Sequence, residues 1–288
     1  RFNGEVISAD SRQIYRKMDI GTGKVEGQLL ASSFQLLGET VTKNLFISEK
    51  IPHYLIDVAR PDEDFNVSHF KTQANLAIEE IISKGKLPII CGGTGFWIQA
   101  VTDNLNLPKV APNEKLRSEL DKFSAAELFE KLAEIDPERA GNIDKQNKYR
   151  LVRALEIIDA IGKVPPLKKD RKEYDFLQIG INVSREILNA KIKKRLDERF
   201  ELGMIEEVEN LHKNGVSHEW MEKIGLEYRW IARFLQNKIS LEEMKEKLYF
   251  DIIHYAKRQM TWFGRNKKII WKDNYHDIEK EVHVFLEI

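Results

Sequence analysis

The chain has 288 residues, enough for one large domain or two smaller ones with a sizeable core. Hydrophobic residues make up 42%, yet no run reaches the ~20 apolar residues that cross a bilayer, and the charged, Gly-containing start lacks the apolar region of a signal peptide. With 46 basic and 46 acidic residues, any contact with nucleic acid must come from a local patch, and a single cysteine, Cys91, excludes an internal disulfide or a Cys-rich zinc module and fits a cytoplasmic protein.

Residues 5–8, EVIS, predict a short buried strand, and ADSRQ follows where it ends. In open α/β sheets, ligands bind at the carboxyl ends of strands. Asp10, Ser11, Arg12 and Gln13 would place a base, a hydroxyl and a guanidinium at such an edge. Asp10 or Ser11 would serve equally as the N-cap of an ordinary helix. Residues 13–18 predict a short helix, and DIGTGK at 19–24 predicts a turn. Two glycines around Thr22, next to Lys24, suit a phosphate held by backbone N–H groups, and suit a plain loop as well. The GxxxxGK[ST] spacing of a Walker A sequence is absent. Residues 25–50 read as a peripheral insertion, with a hairpin over 40–48 turning at Lys43 and Asn44.

HYLIDVA at 53–59 predicts a second buried strand. A helix is expected from a Ser68 cap to about Ser83, with Phe70, Ala74, Ala77, Ile78, Ile81 and Ile82 at helical spacing. LPIIC at 87–91 predicts a third strand, ending in GGTG at 92–95 before an apolar helix over 96–101. Strand, Gly-rich turn and helix present N–H groups to an anion. Two such edges in one parallel sheet would face the same cleft.

From residue 104 the texture changes. Short charged helices over 113–123, 125–135 and 138–143 suggest an insert with little core of its own. The helix over 149–161 is firmer, with Arg150 and Arg153 on the face away from Leu151, Leu155 and Ile158. On pattern alone that is a solvated face. DFLQIGINV at 175–183 predicts a strand. Ser184 caps a helix over 185–202 that carries Lys191, Lys193, Lys194, Arg195 and Arg199. Gly203 breaks it, and a second helix runs over 204–213. Residues 220–237 predict a helix with Gly225 inside. Ser240 with Glu243 reads as a capping box that opens a long helix towards Phe263. A strand at 269–271 and an amphipathic helix end the chain.

Together these pieces resemble the tRNA dimethylallyltransferases, also called the tRNA isopentenyltransferase family. The resemblance rests on SADSRQIY at 8–15, MDIGTGK at 18–24, PHYLIDV at 52–58 with SHF at 68–70, GGTG at 92–95, RLVRALE at 150–156 and YAKRQMTWF at 255–263. The motifs stand in the family's order and span nearly the whole chain. They imply an α/β fold, a P-loop-kinase-like parallel sheet flanked by helices, with a helical insertion domain. Residues 1–104 and 173–288 would form the core, and 105–172 would grip the tRNA anticodon stem-loop.

The reaction implied is transfer of a dimethylallyl group from dimethylallyl diphosphate to N6 of the adenosine 3′ of the anticodon, assisted by Mg²⁺. That base must leave its stack to be reached. The resemblance makes Asp10 the base, and Thr94 and Arg195 the diphosphate contacts, with no metal ligand assigned among the chain's residues. It carries RNA contacts to Asp10, Ser11, Arg12 and Gln13, and to Tyr149, Arg150, Leu151, Val152 and Arg153. Gly225, Tyr228 and Arg229 join them, although GLEYR holds extra residues between its Gly and Tyr. Lys257 and Arg258 are candidates for phosphates of substrate or RNA. The expected protein is a cytoplasmic monomer with no membrane partner.

Three departures stand out. The family's phosphate-binding P-loop lies upstream of SADS, so an additional segment is expected before Arg1. The stretch 25–50 is longer than usual. A C-terminal zinc finger is absent, as in a bacterial-type enzyme. Two alternatives remain at this point: a non-catalytic relative that binds anticodon loops, and a P-loop kinase of a small molecule or nucleoside. Asp10, Thr94 and Arg195 together argue against the first, and RLVRALE with SADSRQ against the second.

Overall fold

The computed structural model describes residues 1–36, 39–167, 169 and 174–287, with backbone only over 32–36 and 39–44. The chain divides into two compact units, Arg1–Thr102 with Glu173–Ile288, and Asp103–Lys172. The sequence reading put the first boundary two residues later; the second falls among residues outside those described.

The first unit opens with β1 (Gly4–Ser8), β2 (Gln28–Leu36), β3 (Glu39–Ser48) and β4 (Ile51–Tyr54), then α1 (Val67–Ser83), β5 (Leu87–Cys91) and α2 (Gly95–Thr102). The strands form one sheet in the order β2-β3-β4-β1-β5. β1 runs parallel to both neighbours, with Val6 opposite His53 and Ile89. β3 is antiparallel to β2 and β4, which makes the sheet mixed at one side. Ile7, Ile14, Met18, Phe70 and Ile81 are fully buried against it. Burying each such side chain contributes roughly 1.5–3 kcal/mol. Phe70 of α1 stacks on Trp97 of α2, with centroids 4.6 Å apart.

The second unit holds α3 (Glu114–Leu120), α4 (Ala125–Ile135), α5 (Pro137–Gly141) and α6 (Lys148–Ile161). Contrary to the sequence reading, it has a core of its own: Leu120, Leu128, Leu132, Ala140, Leu151, Ala154, Leu155 and Ile158. The apolar positions are few but fall on one stripe of each helix, so short charged helices still close around them. The buried Glu156 carboxylate accepts from Arg117 at 2.8 and 3.1 Å, from the Asn113 N–H at 2.7 Å and from Arg153.

The first unit resumes with β6 (Gln178–Ile181), α7 (Arg185–Glu201), α8 (Met204–Lys213), α9 (His218–Ile224), α10 (Leu226–Leu235), α11 (Leu241–Phe263), β7 (Ile269–Lys272) and α12 (Tyr275–Leu286). β6 and β7 pair with each other in parallel, apart from the main sheet.

Several local expectations give way. Residues 13–18 are turns, not a helix, because their backbone bonds sideways. The Asp57 and Ala59 N–H groups donate to Gln13 and Ile14, and Arg16 N–H donates to Ala59 at 2.9 Å. β4 stops at Tyr54, short of Ala59, since Leu55 and Asp57 turn left-handed at φ 63° and 56°. Asn66, not Ser68, caps α1, accepting from the Ser68 and His69 N–H groups. Lys43 and Asn44 lie inside β3, where the apolar run LFIS continues the strand; residues 37–38, between β2 and β3, lie outside those described. The helix expected over 220–237 breaks at Gly225, whose φ of 84° and ψ of −170° no helix permits.

Candidate active site

β1 and β5 are neighbours, so the segments that follow them leave the same edge of the sheet. The Ala9 N–H donates to Cys91 O at 2.8 Å, and the Thr94 N–H donates to Ala9 O at 3.1 Å. This lacing brings the two glycine-flanked and acidic turns together. Gly92 is required for it, because a Cβ there would lie 2.4 Å from the Ala9 oxygen. Thr94 Oγ1 accepts from the Ser11 N–H at 3.0 Å and lies 3.3 Å from Ser11 Oγ. Asp10 Oδ1 accepts from the Arg12 N–H at 2.8 Å, an Asx turn that points the carboxylate along the edge. Asp10, Ser11, Arg12, Gln13 and Thr94 therefore form one cluster, partly open to solvent.

The second half of α11 backs this cluster. Gln259 Nε2 donates to Gly93 O at 3.1 Å, and the Trp262 indole occupies the space a Cβ on Gly95 would need. Tyr255 lies close enough that burial first, and then the Asp10 carboxylate, push its phenol pKa up. It is a neutral hydroxyl at ordinary pH.

The DIGTGK turn does not offer its N–H groups to a phosphate. The carboxylate of Glu207, on α8, already takes them. Asp19, Ile20 and Gly21 N–H groups donate to it at 2.8, 2.7 and 3.1 Å, and the Tyr228 hydroxyl donates at 2.9 Å. Lys24 is turned inward as well, onto Tyr15 O at 2.9 Å and the carboxylates of Asp19 and Asp57. The carbonyls of Thr22 and Gly23 each accept from Gln13 Nε2 at 3.3 Å.

On α7, Arg195 is exposed, while Arg199 is only 8% exposed. Arg199 Nη1 donates to Gly21 O at 3.2 Å and to buried Glu227 at 3.1 Å. Burial lowers the Arg199 pKa against the pull of Glu227, and burial raises that of Glu227.

Several of the expected RNA contacts have side chains that are buried or already partnered within the protein. Leu151 is fully buried in the core of the second unit, and Val152 packs against that core. Arg153 is tied to Glu156 and, at 2.8 Å, to Val110 O. Their helix turns these side chains inward, leaving Tyr149, 76% exposed, and Arg150 facing solvent. Tyr228 is 1% exposed and held by Glu207. Arg229 donates to Glu222 O at 3.1 Å, and Gly225 is the junction between α9 and α10.

A family model described as IPP transferase matches residues 13–267. The chain belongs to the IPP transferase family. Among curated members, it is 39% identical to "tRNA dimethylallyltransferase 1" of Geotalea daltonii, over 96% of this chain and 85% of that protein. It is 38% identical to the "tRNA dimethylallyltransferase" of Acetivibrio thermocellus, over 97% and 87%. The solved tRNA isopentenylpyrophosphate transferase of Bacillus halodurans superposes with a TM-score of 0.67 at 32% identity, covering all of this chain and 88% of that one. A eukaryotic dimethylallyltransferase acting on tRNA gives a TM-score of 0.71 at 25% identity, covering 94% and 68%.

In this IPP transferase the sequence reading missed Glu207, Arg199, Glu227, Tyr255 and Gln259 as parts of the site's frame. For Arg199 a signal existed. Ile192, Leu196 and Arg199 follow the i, i+4, i+7 spacing of the buried stripe, and Arg195 stands one residue off it. For Glu207 and Glu227 nothing local distinguishes them from solvated acids on their helices.

Proposed function

We infer that this chain transfers a dimethylallyl group from dimethylallyl diphosphate to the N6 amine of the tRNA adenosine 3′ of the anticodon. The observation that carries this reading is an acid and a glycine-turn hydroxyl laced onto one sheet edge, in a chain of the IPP transferase family. The C1–O bond of the prenyl diphosphate breaks, and its electron pair leaves with diphosphate. The N6 lone pair forms the new N–C bond, and the amine's proton passes to the Asp10 carboxylate. Thr94 Oγ1 and the exposed Arg195 stabilise the leaving diphosphate, where negative charge develops.

Among the described residues, no group of three His, Cys, Asp or Glu could hold a metal. Asp10 is the one carboxylate of this edge cluster and is the proposed base, so Mg²⁺ would be held chiefly by the substrate's diphosphate and by water, as is usual for this ion. When bound, Mg²⁺ supplies charge neutralisation on the diphosphate. Among the described residues no helix is long and apolar enough to cross a membrane. Of the expected RNA contacts, Tyr149 and Arg150 are exposed, and Arg12 and Gln13 are half-buried beside the Asp10 edge; these are the ones proposed to meet the stem-loop.

The test is mass spectrometry of an anticodon stem-loop RNA after incubation with the chain, Mg²⁺ and dimethylallyl diphosphate. A gain of one dimethylallyl group on the loop adenosine is expected. Tight binding of the stem-loop with no gain would leave only RNA binding, and phosphate transfer from ATP would make the chain a kinase.

A further inference from the structure

We propose that Glu207 is a positioning residue that orients the side-chain amide of Gln13, acting through the Asp19–Gly23 turn. The inference rests on reading the Asp10–Gln13 edge as the place where the acceptor RNA is held. Glu207 itself lies on α8 and belongs to none of the motifs that carry the family resemblance.

The geometry has three layers. The innermost is the Glu207 carboxylate, which accepts four hydrogen bonds of 2.7–3.1 Å, three of them from successive backbone N–H groups of the turn. A carboxylate has about four acceptor sites, so this one is fully used by the protein. It fills the anion position that the turn would otherwise offer, fixing the turn's backbone without leaving a phosphate site.

The second layer is the turn's opposite face. With the N–H groups of Asp19, Ile20 and Gly21 held inward by Glu207, the carbonyls of Thr22 and Gly23 face Gln13 and Gly21 O meets Arg199. Gly23 has a φ of +61°, and a Cβ there would lie 1.8 Å from Arg199 Nη2, so the turn fits this frame only with glycine.

The third layer is Gln13. Both turn carbonyls accept from its Nε2, so the amide's two ends are distinguished. Its nitrogen is committed to the turn, and its carbonyl oxygen is the end left to accept from a ligand. The Gln13 backbone is pinned too, through the Asp57 N–H at 3.2 Å. An oriented acceptor three residues from Asp10 suits an amino group of the acceptor base. Losing the orientation would swap the acceptor for a donor. That would weaken RNA handling without touching the diphosphate.

A double-mutant cycle of Glu207→Gln and Gln13→Ala tests this, with three readouts on the full chain: stem-loop affinity, KM for the RNA and KM for dimethylallyl diphosphate. Glu207→Gln places an amide N–H against N–H donors, and about a tenfold loss of stem-loop affinity is expected in the parent. In the Gln13→Ala background the same substitution should change affinity by less than about twofold. KM for the diphosphate should stay unchanged in both.

Equal losses in the two backgrounds would overturn the proposal, since Glu207 would then act without Gln13. So would a Gln13→Ala chain that binds RNA like the parent. If Glu207→Gln fails to fold, Tyr228→Phe removes one of the four donors; its smaller loss should likewise vanish with Gln13→Ala, and persistence would contradict the assignment. A parent that binds the stem-loop but never transfers the prenyl group would count against the proposed function, while the affinity cycle would still decide the role of Glu207.

Discussion

Neighbouring residues on one helix have opposite fates here. On α6, Arg150 faces solvent, while Leu151 is fully buried. The sequence reading treated the whole run 149–153 as RNA contacts, because a motif match gives positions but not faces. The helical spacing separates them. Arg150→Ala should weaken stem-loop binding and reduce its salt dependence by about one counterion, read by anisotropy over a series of salt concentrations. Leu151→Ala should cost about 2–5 kcal/mol of stability in the second unit, read by chemical denaturation. A Leu151→Ala chain of parental stability with weakened RNA binding would contradict this division. The same reasoning separates Arg195 from Arg199. Arg195→Ala should raise KM for dimethylallyl diphosphate with little change in stability. An unchanged KM would remove Arg195 from the site.

The parallel strands of the sheet and the helix between them were legible, whereas β2 and β3 were read only as an insertion with a hairpin. β1, β5 and α1 were read from their apolar residues, as was α6 in the second unit. The misses cluster where backbone conformation, not hydrophobic pattern, decides. Residues 13–18 carry a helical composition, yet their N–H and C=O groups pair with 57–59. HYLIDVA looks continuous, yet left-handed Leu55 and Asp57 end the strand. Gly225 splits α9 from α10 in a region of φ/ψ space essentially reserved for glycine. Gly225→Ala should therefore destabilise the chain by about 1–3 kcal/mol in equilibrium unfolding. The nearest atom to the added Cβ would be the flexible Arg229 guanidinium at 3.4 Å, so strain and not crowding sets the cost. A neutral substitution would mean that this junction relaxes freely. The meeting of the Asp10 and GGTG turns at one sheet edge was legible, because both sit at strand ends. The frame around that edge was not. Glu207, Glu227 and Gln259 join it only through contacts between segments far apart in the chain.

Each of the two units buries a carboxylate among cations. In the first, burial raises the Glu5 pKa, but hydrogen bonds from Lys86 and Tyr54 and the charge of Lys84 outweigh it, leaving the pKa lowered. In the second, burial likewise opposes Arg117, the Asn113 N–H and Arg153, and the Glu156 pKa is again lowered. A carboxylate with a folded pKa below its unfolded one stabilises the fold above the unfolded value. That contribution is lost as pH falls through the folded value. Stability of both units should therefore fall on acidification below the ordinary carboxylate range. Glu156→Gln, which cannot titrate, should flatten the acid limb for the second unit in a pH series of unfolding curves. An unaltered acid limb would contradict the buried pairing.

In the proposed reaction, Asp10 takes the proton of the acceptor amine at an edge where RNA is separately held. The most direct measurement compares the parent with Asp10→Asn, reading prenyl transfer by mass spectrometry and stem-loop affinity by anisotropy on the same preparations. Loss of the base should slow transfer by at least about a hundredfold while affinity stays within about twofold. Transfer that survives the substitution, or that falls only in step with affinity, would contradict the claim.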